Sequence, residues 1–150
     1  MVPTQRKSQL CLLLLGLLGM TIWVHAPPPG ITPAQWFVIQ HINMTSNLCD
    51  LAMRAINRYN LPPRICKNEN TFLKTTLPVV ANLCRTHNIP CFRQGHNCHR
   101  SSDAVNVTYC NATGQAPTYL QCHYQQYSMV KNYSIACDTT NVPVHFDRFY

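Results

Sequence analysis

Acidic side chains are scarce in this chain: five Asp and Glu stand among 150 residues, against twelve Lys and Arg. Such an imbalance suits a polyanionic partner, whether nucleic acid, sulphated glycan or anionic membrane. Solubility is the plainer explanation, and the cations are scattered, so no linear run marks a binding stripe. Internal repeats and coiled-coil heptads are also missing, which excludes solenoid and long-coil architectures. Low-complexity sequence is confined to the short Pro27-Pro28-Pro29 lead. Long hydrophobic runs are lacking too. The one apolar stretch, Cys11 to Met20, is too short and too promptly followed by prolines to span a membrane comfortably.

That stretch has a different explanation. Arg6 and Lys7 precede it, and Val24-His25-Ala26 follows with small residues suited to a signal peptidase. Residues 1–26 therefore read as a secretory signal peptide. Pro27 is unfavourable directly after a cut, so a cleavage site a few residues away stays open. Residues 27–150 are left as one domain of 124 residues, enough for a single modest core. Loss of Cys11 turns nine cysteines into eight, and the charge becomes about +5. Eight cysteines in a small secreted chain indicate four disulfides, for which sequence alone allows 105 connectivities. Four sequons begin at Asn43, Asn106, Asn111 and Asn132, and are expected to face solvent as glycosylation sites.

Thr32 followed by Pro33 is a helix-start signal, and the predicted helix runs to His41. Phe37 and His41, four apart, share a face there. A second helix is expected around Cys49 to Asn57, with Leu51, Ala52, Ala55 and Ile56 as its apolar stripe. A third starts near Thr76 and carries Val79, Val80 and Leu83 towards Cys84. Beyond it, Val105 to Tyr109, Tyr119 to Val130, Tyr133 to Cys137 and Val142 to Phe146 have strand character. Helices first and strands later predict an α+β domain with a mainly antiparallel sheet.

Two histidines and a lysine can cleave a phosphodiester without a metal or other cofactor. A neutral imidazole takes a proton from a neighbouring hydroxyl, and an imidazolium protonates the leaving oxygen. A lysine stabilises the charge that grows on the phosphoryl oxygens. Gln40-His41, Cys66-Lys67-Asn68-Glu69-Asn70-Thr71-Phe72 and Pro143-Val144-His145-Phe146-Asp147 offer these groups, provided that the first helix meets the last strand.

With these motifs and its eight cysteines in order, essentially the whole of 27–150 resembles the pancreatic-type ribonucleases, the ribonuclease A superfamily. Trp36-Phe37 before Gln40-His41-Ile42-Asn43-Met44-Thr45, and the Pro-rich start, look most like the eosinophil-type branch. The resemblance implies three helices packed on a bent antiparallel sheet. It implies the bridges Cys49–Cys110, Cys66–Cys122, Cys84–Cys137 and Cys91–Cys98. It makes His41 the base, His145 the acid and Lys67 the transition-state cation. Gln40 and the Phe146 N–H would meet phosphate, Asn70 would join the substrate site, and Asp147 would orient His145. Thr71, backed by Phe72, would read a pyrimidine, and Asn97 with Asp138 would hold the base beyond the cut.

Departures from the family pattern qualify these roles. Asp138 stands for a glutamate, and Tyr109 for the aspartate that supports the threonine, so cytosine or uracil preference stays open. Trp36, Ile39 and Phe92 replace cations that hold an outer phosphate, which predicts weaker avidity for long RNA. His87, His99 and His123 are expected to be structural or merely exposed. His96-Asn97-Cys98-His99 has zinc-ligand residue types, but an oxidised cysteine cannot ligate as thiolate.

The leading expectation is thus a secreted endoribonuclease, stored in secretory granules, acting as a monomer on RNA and open to a cytosolic ribonuclease inhibitor. The competing class is a cationic antimicrobial protein that disrupts anionic microbial surfaces without catalysis.

Overall fold

The first helix begins as the sequence predicts. In the computed structural model, which describes residues 26–150, Thr32 Oγ1 accepts the Gln35 N–H at 3.1 Å while Gln35 Oε1 accepts the Thr32 N–H at 2.9 Å. This reciprocal cap with Pro33 in the first turn starts α1, Pro33–Phe37, which continues in wider π winding over Val38–Ile42. The expected signal segment falls, but for Ala26, outside the described residues.

The second helical segment is broken at Met53 into α2, Cys49–Ala52, and α3, Arg54–Asn57. Its inward stripe differs from the predicted one. Cys49, Ala52, Met53 and Ile56 are buried, whereas Leu51 is 43% exposed. The Cys49–Cys110 bridge turns the Cys49 face inward, and spacing of three and four then selects the rest. After strand β1, Glu69–Leu73, the third helix α4 covers Leu77–Asn82 and tightens to a 3-10 turn over Leu83–Arg85. Val80 is its buried anchor, while Val79 points outward.

The remaining strands are β2, Cys98–Arg100; β3, Val105–Ala112; β4, Tyr124–Lys131; β5, Tyr133–Cys137; and β6, Pro143–Phe149. They form two antiparallel three-stranded sheets, β1-β3-β4 and β2-β5-β6. Only Asn132 separates β4 from β5, so the chain passes from one sheet to the other at that residue. Two clusters fill the interior. Phe37, Leu73, Val80, Val107, Tyr133 and Ile135 join α1 and α4 to the sheets. Met53, Ile56 and Phe72 pack with the Cys49–Cys110 bridge on the other side of β1.

The four bridges are Cys49–Cys110, Cys66–Cys122, Cys84–Cys137 and Cys91–Cys98. The α+β architecture is the one expected, and no described helix is long and apolar enough to cross a membrane.

The sequons are presented unequally. Asn43 and Asn106 are exposed and Asn111 is half-buried. Asn132 is half-buried too, at the point where the chain passes between the sheets. Its amide donates to the Ser101 carbonyl at 3.1 Å, and Tyr133 and Ser134 behind it are buried.

Candidate active site

Helix α1 touches both sheets, packing on β6, while its π-wound end packs on β1. That placement brings the three predicted groups together. His41, 7% exposed, lies between Phe37 and Phe146, with ring centroids 5.3 and 5.2 Å away. Its Nδ1–H donates to the Thr71 carbonyl at 2.7 Å, which leaves the lone pair on Nε2. Burial first, and then the positive charge of Lys67, push His41 down to about 3. The imidazole is therefore neutral at pH 7. His145 is exposed on β6 opposite Ala136, and its charge adds to the depression of His41.

The Lys67 ammonium donates to Gln40 Oε1 at 2.7 Å and Asn70 Oδ1 at 2.8 Å, using two of its three hydrogens. Asn70 in turn donates to the Gln40 carbonyl at 2.7 Å. Asn70 is thus placed to hold Lys67 and Gln40 rather than to point at a ligand. Burial, with Arg93 next, lowers Lys67 to about 8, so it still carries its charge at neutral pH.

Residues the sequence did not single out hold the backbone beneath this lysine. Asn57, 1% exposed, accepts the Lys67 N–H at 3.0 Å and donates to the Tyr124 hydroxyl at 2.9 Å. That hydroxyl donates to the Lys67 carbonyl at 2.7 Å. Gln115 pairs with both polar groups of Cys66, accepting its N–H and donating to its carbonyl, each at 2.8 Å. Four peptide groups of Cys66-Lys67 are therefore satisfied by side chains rather than by a strand partner. A buried asparagine next to the inward stripe of a helix was the one available signal; Gln115 carried none.

The base-reading candidates divide. Thr71 is 5% exposed on β1, while the Phe72 side chain, 2% exposed, belongs to the core, leaving only its backbone for a ligand. Asn97 and Asp138 line one cleft of about 450 Å³ with Asn88, Thr139 and Asn141. Asn97 is fixed by its amide donating to the Cys137 carbonyl at 2.8 Å. Asp138 caps its own loop: Oδ1 accepts the Thr140 hydroxyl at 2.7 Å and the N–H groups of Thr140 and Val142. The Thr140 hydroxyl first, helped by those N–H groups, holds Asp138 below the usual carboxylate range. Asp147 accepts the Phe92 N–H at 2.9 Å and the Ser134 hydroxyl at 2.8 Å, so it ties β6 to β5 and to the Cys91 loop. Trp36 meets Tyr59 edge-on at 5.6 Å and packs against the α2–α3 cluster. Of the other histidines, His99 is buried against Thr86, and His123 pairs with Asp50 at 3.0 Å.

The burial of neutral His41 has a consequence for stability. Its folded pKa, about 3, lies below the unfolded value of 6.5, so the unfolded chain takes up the proton first. Stability is lost as pH falls from 6.5 towards 3, at about 1 kcal/mol per pH unit. Denaturant unfolding of His41→Asn between pH 6.5 and 4 is expected to show a slope shallower by that amount. An unchanged slope would contradict it. Lys67 does not contribute in this window, because its own transition lies between 10.5 and about 8.

A neutral imidazole with Nε2 open, a charged ammonium beside it and a second histidine on the neighbouring strand can move protons and stabilise an anion. The model of the pancreatic ribonuclease family matches residues 32–147, from the cap of α1 to Asp147 on β6, and the chain belongs to that family.

Proposed function

We propose that the protein is a secreted, metal-independent endoribonuclease that cleaves RNA on the 3′ side of pyrimidines. Within the family we place it nearest the eosinophil-type branch. The observation that carries the reading is the bond from His41 Nδ1 to the Thr71 carbonyl, because it couples a proton-accepting Nε2 to the residue beside a bound base.

His41 Nε2 takes the proton of the ribose 2′-hydroxyl, and the 2′-oxygen attacks phosphorus. The bond to the 5′-oxygen breaks as His145, in its imidazolium form, donates a proton to that oxygen. The products are a 2′,3′-cyclic phosphate and a 5′-hydroxyl, and water opens the cycle in a second step. The third Lys67 hydrogen meets the phosphoryl oxygen whose charge grows. Gln40, with its oxygen taken by Lys67, can serve a phosphate only through its amide nitrogen. Thr71 reads the pyrimidine, the Phe146 N–H meets phosphate, and the cleft at Asn97 and Asp138 receives the following base.

Incubation with the dinucleotide UpA in EDTA is expected to yield adenosine and uridine 2′,3′-cyclic phosphate first, the latter visible by phosphorus NMR. The rate should fall on the alkaline side near pH 8 as Lys67 loses its proton. Loss of cleavage in EDTA, or a direct 3′-phosphate with no cyclic precursor, would sink the mechanism.

One cluster favours host defence as a second use. The Arg148 guanidinium stacks over Phe92 at 4.6 Å and Tyr150 at 4.7 Å, and Arg100 stacks over Tyr150 at 3.9 Å. Neither guanidinium forms a salt bridge among the described residues. This cationic aromatic surface suits anionic microbial envelopes. Killing that persists in His145→Ala would separate that use from catalysis.

A further inference from the structure

Beyond Thr71 the first sheet carries aromatic rings that the mechanism above leaves unused. Thr71 is paired with Tyr109, and Tyr109 with Tyr127, across β1, β3 and β4. Directly paired residues present their side chains on one face. The Tyr109 hydroxyl donates to Glu69 Oε2 at 2.7 Å, which fixes this face as the one that Glu69 and Thr71 share on β1. The Tyr109 ring lies 6.0 Å from Tyr127, tilted by 35°, and 6.0 Å from Phe149, closer to edge-on at 68°. Tyr127 is 48% exposed, and Tyr109 and Phe149 are half-buried.

Direction follows from the topology. β1 is an edge strand, with His41 bonded to the Thr71 carbonyl, while β3 and β4 lead away from it. A strand held with its pyrimidine at Thr71 and its 3′ phosphate at His41 therefore has its 5′ continuation free to cross the tyrosines. At about 4.8 Å per strand, Tyr127 lies roughly 10 Å beyond Thr71, within reach of the preceding nucleotide.

Chemistry narrows the ligand. Tyr109 has its hydroxyl committed to Glu69, so it offers a ring rather than a hydrogen bond. That bond above all keeps the phenol protonated, pushing it up to about 12. The Glu69 carboxylate, which would repel a phosphodiester, is faced by Arg93 at 3.6 Å. A planar, sequence-tolerant partner is what such a surface accepts.

We propose that Tyr109 and Tyr127, rimmed by Phe149, form a stacking subsite for the base immediately 5′ of the pyrimidine read by Thr71. The inference rests on the ribonuclease reading and adds to it a preference for pyrimidines within a strand over those at a 5′ end. Any base serves, since every base has a π-face.

The test compares initial kcat/KM on ApUpA with the same trinucleotide made abasic at its first position. The wild-type ratio is expected to be about tenfold, from one base stacked on aromatic side chains. In Tyr127→Ala the ratio should fall towards one. Equal rates on the two trinucleotides in the wild type, or a ratio that survives both Tyr127→Ala and Tyr109→Ala, would overturn the subsite. UpA separates the two failures. If UpA is not cleaved, the ribonuclease reading falls and takes the subsite with it; if UpA is cleaved but the trinucleotide ratio is one, only the subsite falls.

Discussion

His145→Ala is expected to slow cleavage of UpA by about a thousandfold, the usual scale for a positioned acid. The same variant should retain most of its rate on uridine 3′-(4-nitrophenyl phosphate), whose leaving group departs without a proton. His41→Ala should lose about as much on both substrates, because each needs the 2′-hydroxyl deprotonated. The asymmetry assigns acid and base separately, which a simple loss of activity cannot do. It follows from geometry: His41 is buried with Nδ1 tied to Thr71, whereas His145 is exposed on β6. Equal losses for His145→Ala on both substrates would reverse or abolish the assignment.

Removing the Cys66–Cys122 bridge with paired alanines should cost much of the stability. It closes a loop with a sequence separation of 56, for which chain entropy gives roughly 4 kcal/mol. For a domain of this size the melting temperature should drop by about 12 °C. The Cys91–Cys98 bridge, with a separation of 7, should cost roughly 2 kcal/mol less. The two losses also differ in kind. Cys66 adjoins Lys67, so kcat should fall in the first variant even where circular dichroism shows it folded, while the second keeps its lysine anchored. Equal kcat in the two folded variants would show that the bridge has no part in holding Lys67.

The candidate site was legible because it resides in short motifs: Gln40-His41, Cys66-Lys67 and His145-Phe146-Asp147 lie where α1, the start of β1 and β6 meet. The helix start at Thr32 was equally plain, since cap and first-turn proline are adjacent in sequence, although the reciprocal bond from Gln35 came only with the structure. What escaped depends on contacts distant in sequence. Periodicity put Leu51, Ala52, Ala55 and Ile56 on the inward face of the second helical segment, and a disulfide to β3 turns that face, burying Met53 and exposing Leu51. Asp147 was expected to orient His145, but its oxygens also serve Phe92 and Ser134, which no local pattern announces. Phe72 was expected to back Thr71, and strand alternation turns its ring into the core cluster beneath α2 and α3, which local sequence does not announce. Asn132 belongs to a well-formed sequon, and the passage between sheets gives its amide another duty.

The support under Lys67 bears on how such an enzyme can lose its function. Strand pairing is indifferent to side-chain identity, so a lysine held by a ladder survives most sequence drift around it. Here the peptide groups rely on Asn57, Tyr124 and Gln115, each specific in chemistry and remote in the chain. A descendant could keep His41, Lys67 and His145 intact and still become a pseudoenzyme through a change at one of these three. Retention of His41, Lys67 and His145 is therefore a weaker mark of activity in this lineage than retention of the amides and the phenol beneath them.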